Sequence, residues 1–152
     1  MSHPSFHKVL FVCTGNTCRS PMAEGLFRIK TAKYPEWTAA SAGLAACDGA
    51  PVSRETRQIL LERAPWLTIP SSRKITESML RESTDILCLT REHLVILGHH
   101  FPEYIHKMHL VTAWADNKDI PDPIGRGAAA YRQVGDMLDR ALDALIAHWA
   151  DC

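Results

Sequence analysis

The chain has no excess of either charge: its 152 residues carry 17 basic and 17 acidic side chains. Without a basic excess it has neither the footprint of a nucleic-acid binder nor a hold on an anionic membrane. It also lacks a disulfide framework. Its five cysteines are an odd number without paired spacing, so they read as reduced thiols in a cytoplasmic protein. Near the start, only residues 9–13 form a continuous apolar run, which is too short for a signal-peptide core or a membrane span. No internal repeat, linker or low-complexity segment interrupts the sequence. With 46% apolar and 22% charged residues, it reads as one globular domain over residues 1–152, with enough chain for a real core and too little for two.

What is present alternates between strand and helix signals. Residues 8–12 are β-rich and apolar, as in a buried parallel strand. Ser20 reads as the N-cap of a helix, with Pro21 at its first position and Met22, Ala23, Leu26, Phe27 and Ile29 as its apolar face. Residues 37–41, closed by Gly43, give a second strand. Ser53, Thr76 and Thr90 read as caps of three further helices, the first stopped by Pro65. Residues 85–89 form a buried third strand and residues 108–111 a weaker fourth. The loop 119–127 carries Pro and Gly, and the final helix has Val134, Met137, Leu138, Ala141, Leu142, Leu145, Ile146 and Trp149 at core-facing spacing. The expectation is an α/β fold: a four-stranded parallel sheet with helices on both faces, and ligand chemistry at the carboxyl ends of the strands.

The segment after the first strand carries that chemistry. Cys13 stands six positions before Arg19, with Thr14, Gly15, Asn16, Thr17 and Cys18 between them and Ser20 and Pro21 after. A tight loop ahead of a helix presents backbone N–H groups and a positive dipole end to a phosphoryl group. Gly15 permits close approach or an unusual backbone angle, and Asn16 tolerates a left-handed one. Arg19 can donate two parallel hydrogen bonds to phosphoryl oxygens and stabilise spreading charge. Cys13 would be the nucleophile; loop amides, Arg19 and the helix dipole favour its reactive thiolate. Ser20 could donate to the same sulfur.

Other readings of the segment fail on spacing. No Gly-Lys-Ser/Thr follows a second glycine, so it is no Walker loop. Cys13 and Cys18 fit neither a Cys-x-x-Cys redox pair nor a zinc half-site. His93, His99, His100, His106 and His109 crowd together without strong ligand spacing and read as surface or satisfied histidines, so no metal is expected. The leaving group needs a proton, and Asp122, stiffened by Pro123, is the best candidate, with Asp116 and Asp119 as competitors and a turn role as the alternative.

Together these features resemble the low-molecular-weight protein tyrosine phosphatase family. The similarity spans the first strand, the whole Cys-x5-Arg-Ser-Pro loop, Met22-Ala23-Glu24, Ser41-Ala42-Gly43, Asp85-Ile86-Leu87-Cys88 and Asp122-Pro123 before a last helix. The resemblance implies a cysteinyl-phosphate intermediate on Cys13, Arg19 on the phosphoryl group, and Asp122 protonating the leaving group and then activating water. It implies no cofactor, a phosphorylated protein as substrate, and a monomer. Asn16 and Ser41 would hold the loop. Cys18 would trap oxidised Cys13 as a disulfide, or serve simply as a small buried residue.

Within that family the chain departs from the tyrosine-directed pattern. Thr17 stands where an aliphatic residue is usual. Ile124 and Gly125 follow Asp122-Pro123 where aromatic residues are usual, and the opposite wall falls near Cys47, read as a small packing residue. Weak stacking on a phenol ring follows. The loop resembles that of the protein arginine phosphatase branch, so phosphoarginine is the expected substrate, with phosphotyrosine the alternative. An arsenate reductase would need two further cysteines close together after the third strand; Cys88 lies within that strand, and no other cysteine follows until Cys152. A non-catalytic phosphate-binding module would have no use for Asp122.

Overall fold

Two apolar clusters divide along the first strand, and that division explains its unbroken hydrophobic run. In β1 (His7–Cys13), Val9, Phe11 and Cys13 enter one cluster, while Leu10 and Val12 enter the other. A strand covered on both faces has no polar side to show. The computed structural model describes residues 6–150; Cys152, expected to be an exposed terminal thiol without a role, lies outside them.

After β1 come α1 (Arg19–Lys30), β2 (Trp37–Gly43), α2 (Arg54–Arg63), α3 (Glu77–Glu82), β3 (Asp85–Cys88) and α4 (Arg91–His100). A 3₁₀ helix, Pro102–Lys107, leads into β4 (Met108–Leu110), and α5 (Ala128–Ala150) closes the domain. The 3₁₀ helix was not expected from the sequence. The four strands form one parallel sheet in the order β2-β1-β3-β4. Residues of α1, α2 and α5 build the cluster on one face, and residues of α3 and α4 cover the other. The expected α/β architecture is what the chain adopts.

Three of the expected caps hold. Ser53, Thr76 and Thr90 each accept a bond from the backbone N–H three residues on, satisfying donors that the helix leaves free. Ser20 does not act this way. Cys18 occupies the N-cap of α1, Ser20 lies inside the first turn, and no side-chain cap bond forms there. The Ser20 hydroxyl is engaged elsewhere, as described below. The apolar face of α1 is fully buried at Met22, Ala23, Leu26 and Phe27.

The polar side of α5 is not idle either. Asp139 receives both guanidinium nitrogens of Arg63 at 2.7 Å, and Lys30 reaches Asp143 at 2.8 Å. These pairs link α5 to α2 and α1 around the cluster that carries Cys13. No described helix is long and apolar enough to cross a membrane.

Candidate active site

β1 ends on Cys13 and α1 begins on Arg19, so residues 14–18 must turn the chain between them. The turn is made by Asn16, whose φ is 57°. Asparagine tolerates this left-handed conformation better than most residues. Gly15 does not adopt a left-handed φ, and a Cβ there would meet only Thr17 Oγ1 at 3.8 Å. Of its two expected uses, the unusual angle therefore belongs to Asn16. Crowding is found instead at Gly43, where a Cβ would meet the Thr14 carbonyl oxygen at 2.5 Å and Ala46 Cβ at 2.8 Å. The end of β2 thus supports the loop from behind at a distance only glycine permits.

A chain of hydrogen bonds runs from a buried carboxylate to the thiol. The Arg73 backbone N–H donates to Asn16 Oδ1 at 2.8 Å, which fixes the orientation of the amide. Asn16 Nδ2 then donates to Ser20 Oγ at 2.8 Å and to Ser41 Oγ at 2.9 Å. Ser41 passes its own hydrogen to Glu24 Oε1 at 2.7 Å. Ser20, having accepted from Asn16, keeps a hydrogen to direct at Cys13 Sγ, 2.8 Å away. The backbone N–H of Asn16 donates to the same sulfur at 3.3 Å. Two donors thus converge on one sulfur. Burial pushes Glu24 up; the Ser41 bond and the charges of Arg28 and Arg73 oppose it.

Arg19 is buried, and its Nη1 donates to the carbonyl of Ile120 at 3.0 Å. Ile120 is itself held by a bond from its N–H to the Leu89 carbonyl. The guanidinium is therefore tied to the segment that carries Asp122 two residues later. Asp122 Oδ1 accepts from the Ile124 N–H at 3.1 Å, a local turn. Cys13, Thr14, Gly15, Asn16, Thr17, Cys18, Arg19, Asp122 and Ile124 line one cleft of about 150 Å³. Asp116 and Asp119 do not line it. Asp119 accepts from the Arg91 N–H and guanidinium at the start of α4, and Asp116 from the Lys118 N–H.

Two further residues support the loop from distant elements. His93, placed among the surface or satisfied histidines, is buried and bonds Thr14 Oγ1 through Nε2 at 2.9 Å. Its Nδ1 has no partner among the described residues. Tyr131 on α5 places its hydroxyl 3.3 Å from Cys18 Sγ. Burial and that contact push the phenol up to about 12. An aromatic residue in the first turn of the last helix, and a His in the first turn after β3, are the signals that could have marked them.

His93 gives the fold a pH dependence with a definite sign. Burial, with Arg19 nearby, pushes its imidazole down from 6.5 to about 4. The unfolded chain takes up this proton first as pH falls. The contribution to stability is present in full above about 6.5 and is lost as pH falls from there through about 4. Urea midpoints are expected to drop across that window, and to drop less in His93→Gln. Equal slopes in the two proteins would contradict this.

The other thiols are placed apart from the cleft. Cys88 is fully buried in β3, and burial pushes its thiol up to about 12. Cys47 is exposed and does not line the cleft; its expected packing role is corrected, because it belongs to neither apolar cluster. Ile124, in the position of an aromatic wall, is 60% exposed.

The fold is a parallel α/β sheet whose loop after β1 brings a buried thiol, Cys13, and a helix-borne guanidinium, Arg19, to one cleft. The model of the low molecular weight phosphotyrosine protein phosphatase family matches residues 8–151, and the chain belongs to that family of hydrolases. It is 33% identical to the low molecular weight protein-tyrosine-phosphatase Etp of Escherichia coli K12, over 93% of each chain. It is likewise 33% identical to a protein-arginine-phosphatase of Geobacillus stearothermophilus, over 91% of this chain and 93% of that one. Among solved structures, a low molecular weight protein tyrosine phosphatase from T. tengcongensis superposes with a TM-score of 0.87 at 34% identity, covering 93% of this chain and 99% of the other. The YwlE arginine phosphatase from Geobacillus stearothermophilus superposes with a TM-score of 0.83 at 31% identity, covering 91% and 90%.

Proposed function

We propose that the chain is a protein phosphatase that carries the phosphoryl group on Cys13. The observation that bears most weight is the 2.8 Å approach of the Ser20 hydroxyl to Cys13 Sγ, set by the amide of Asn16. It gives the sulfur a directed donor at the base of a cleft that also holds Arg19 and Asp122. In the first step the thiolate attacks phosphorus and the bond to the leaving group breaks. Asp122 gives its proton to that group, and the phosphoryl oxygens rest on the loop N–H groups of residues 14–18 and on Arg19. In the second step Asp122, now a carboxylate, takes a proton from water. The hydroxyl attacks phosphorus, the S–P bond breaks, and the thiolate and inorganic phosphate result. No metal or cofactor takes part in this scheme.

Asp122→Asn is expected to lower kcat/KM, which reports the first step, about 10²-fold on substrates with poor leaving groups, and much less on p-nitrophenyl phosphate, whose leaving group needs no proton. An equal loss on both would contradict the acid role. Cys18, held by Tyr131, is the candidate to capture an oxidised Cys13 as a reversible disulfide.

The substrate assigned is phosphoarginine in proteins. None of the residues lining the cleft is aromatic, and Thr17 presents a hydroxyl where an aliphatic side chain is usual. A flat, polar guanidinium fits such walls better than a phenol that must stack. Phosphotyrosine is the second reading, favoured by the family and by the tyrosine-phosphatase relatives. In side-by-side assays, turnover on phosphoarginine peptides is expected to exceed that on phosphotyrosine peptides. Thr17→Ile is expected to shift the ratio about 10-fold or more towards tyrosine. A parent protein that prefers phosphotyrosine would overturn the arginine assignment and leave the phosphatase reading standing.

A further inference from the structure

The outer edge of the sheet is open beside a groove. β2 is an edge strand whose neighbour in the sheet is β1. The Glu36 carbonyl accepts from His7 N, which turns the even-numbered residues of this stretch towards β1. The backbone groups of Trp37, Ala39, Ser41 and Gly43 therefore point outward. Gly43 is capped on that side: its N–H donates to the Arg73 carbonyl at 2.9 Å, and its carbonyl accepts from Ile75 N at 3.0 Å. The Trp37 N–H donates to the Tyr34 carbonyl, and the Ser41 carbonyl accepts from Arg73 Nε. Among the described residues, nothing pairs with the Ser41 N–H, either backbone group of Ala39, or the Trp37 carbonyl.

A groove of about 630 Å³ runs along this edge, with Arg28, Trp66 and Arg73 beside Ala39 and Ala40. Exposed edges are usually blunted by a charge, a proline or a bulge. Residues 38–41 are Thr, Ala, Ala and Ser, and none of these blocks approach. Trp66 is 61% exposed, a large apolar side chain standing over the groove.

We propose that this edge and groove are a docking site for an extended acidic segment of a partner protein, which adds to the sheet as a further strand. The charge decides the occupant. Arg28 and Arg73 are the cations lining the groove. The acid there, Glu24, is buried, bonded to Ser41 and 4.0 Å from Arg28, which also donates to the Thr68 carbonyl; two cations against one buried acid leave the groove positive. A second copy of the chain pairing edge to edge would bring two such arginine pairs together, and like charges oppose that contact. An acidic strand instead meets both arginines while its backbone satisfies Ala39 and Ser41. The proposal concerns binding and is independent of the chemistry at Cys13.

The test uses heteronuclear NMR of the full chain titrated with an end-blocked peptide of alternating glutamate and valine. A peptide with lysine in place of glutamate is the control. The amides of Ala39 and Ser41 are expected to shift saturably and to exchange more slowly with the acidic peptide, and not with the basic one. Arg28→Glu is expected to weaken binding about tenfold, or ~1.4 kcal/mol. Ala39→Pro, which removes one outward N–H, is expected to abolish it; should that variant not fold, Arg28→Glu carries the test. Equal binding of both peptides, or no response at Ala39 and Ser41, overturns the proposal. So does a dimer of the free protein that protects the same two amides.

Discussion

Cys13→Ser is expected to lose at least about 10⁴-fold in turnover of any phosphorylated substrate. The loss follows from what surrounds the sulfur. Asn16 N–H and the Ser20 hydroxyl converge on that atom. A serine hydroxyl is a far weaker nucleophile than cysteine sulfur. Oxygen is also a poor leaving group in the second step, so any phosphoryl group that did transfer would remain. The fold should be unaffected, because Cys13 differs from serine by one atom at the end of a strand held by its register with Gly43. Steady-state kinetics with p-nitrophenyl phosphate and a thermal unfolding curve check both halves. A serine variant that turns over normally would remove the phosphatase reading.

Arg19→Lys is expected to lower kcat/KM about 10³-fold, or ~4 kcal/mol of transition-state stabilisation. The charge is conserved in this change, but the geometry is not. Arg19 uses Nη1 to hold the Ile120 carbonyl at 3.0 Å, and its other N–H groups remain for the phosphoryl oxygens. A lysine ammonium has no planar fork and cannot serve both partners at fixed angles. Because the tie to Ile120 also leads to Asp122, the substitution should loosen the acid as well. The loss is therefore expected mainly in kcat, with a smaller change in KM. Retention of kcat/KM within tenfold would show that the fork geometry does not matter.

The sequence was most legible where local chemistry sets structure. The run 8–12 is continuous because β1 feeds cores on both faces, and Ser53, Thr76 and Thr90 cap helices because their oxygens sit three residues from a free N–H. Cys13, Arg19, Asp122 and Ile124 meet in one cleft because the loop after β1 and the loop before α5 lie at the same end of the sheet. Partners brought from afar were not legible. His93 reaches Thr14 across 79 positions, Tyr131 reaches Cys18 across 113, and the Arg73 backbone reaches Asn16 across 57. No periodicity encodes such contacts; the packing of α4, α5 and the 64–75 connection creates them. For Ser20 only the cap assignment fails: α1 starts at Arg19 with Cys18 at its N-cap, which puts Ser20 inside the first turn, where its hydroxyl meets the Cys13 sulfur as the sequence also allowed.

The central claim is a covalent phosphoryl group on Cys13. The most direct measurement is acid quenching of Asp122→Asn during turnover of a phosphorylated substrate, followed by mass spectrometry of the cysteine-containing peptides. Slowed hydrolysis of the intermediate should let it accumulate, and the account predicts one added phosphoryl group on the peptide bearing Cys13. Turnover with no phosphorylated Cys13, or with the group on another residue, would contradict it.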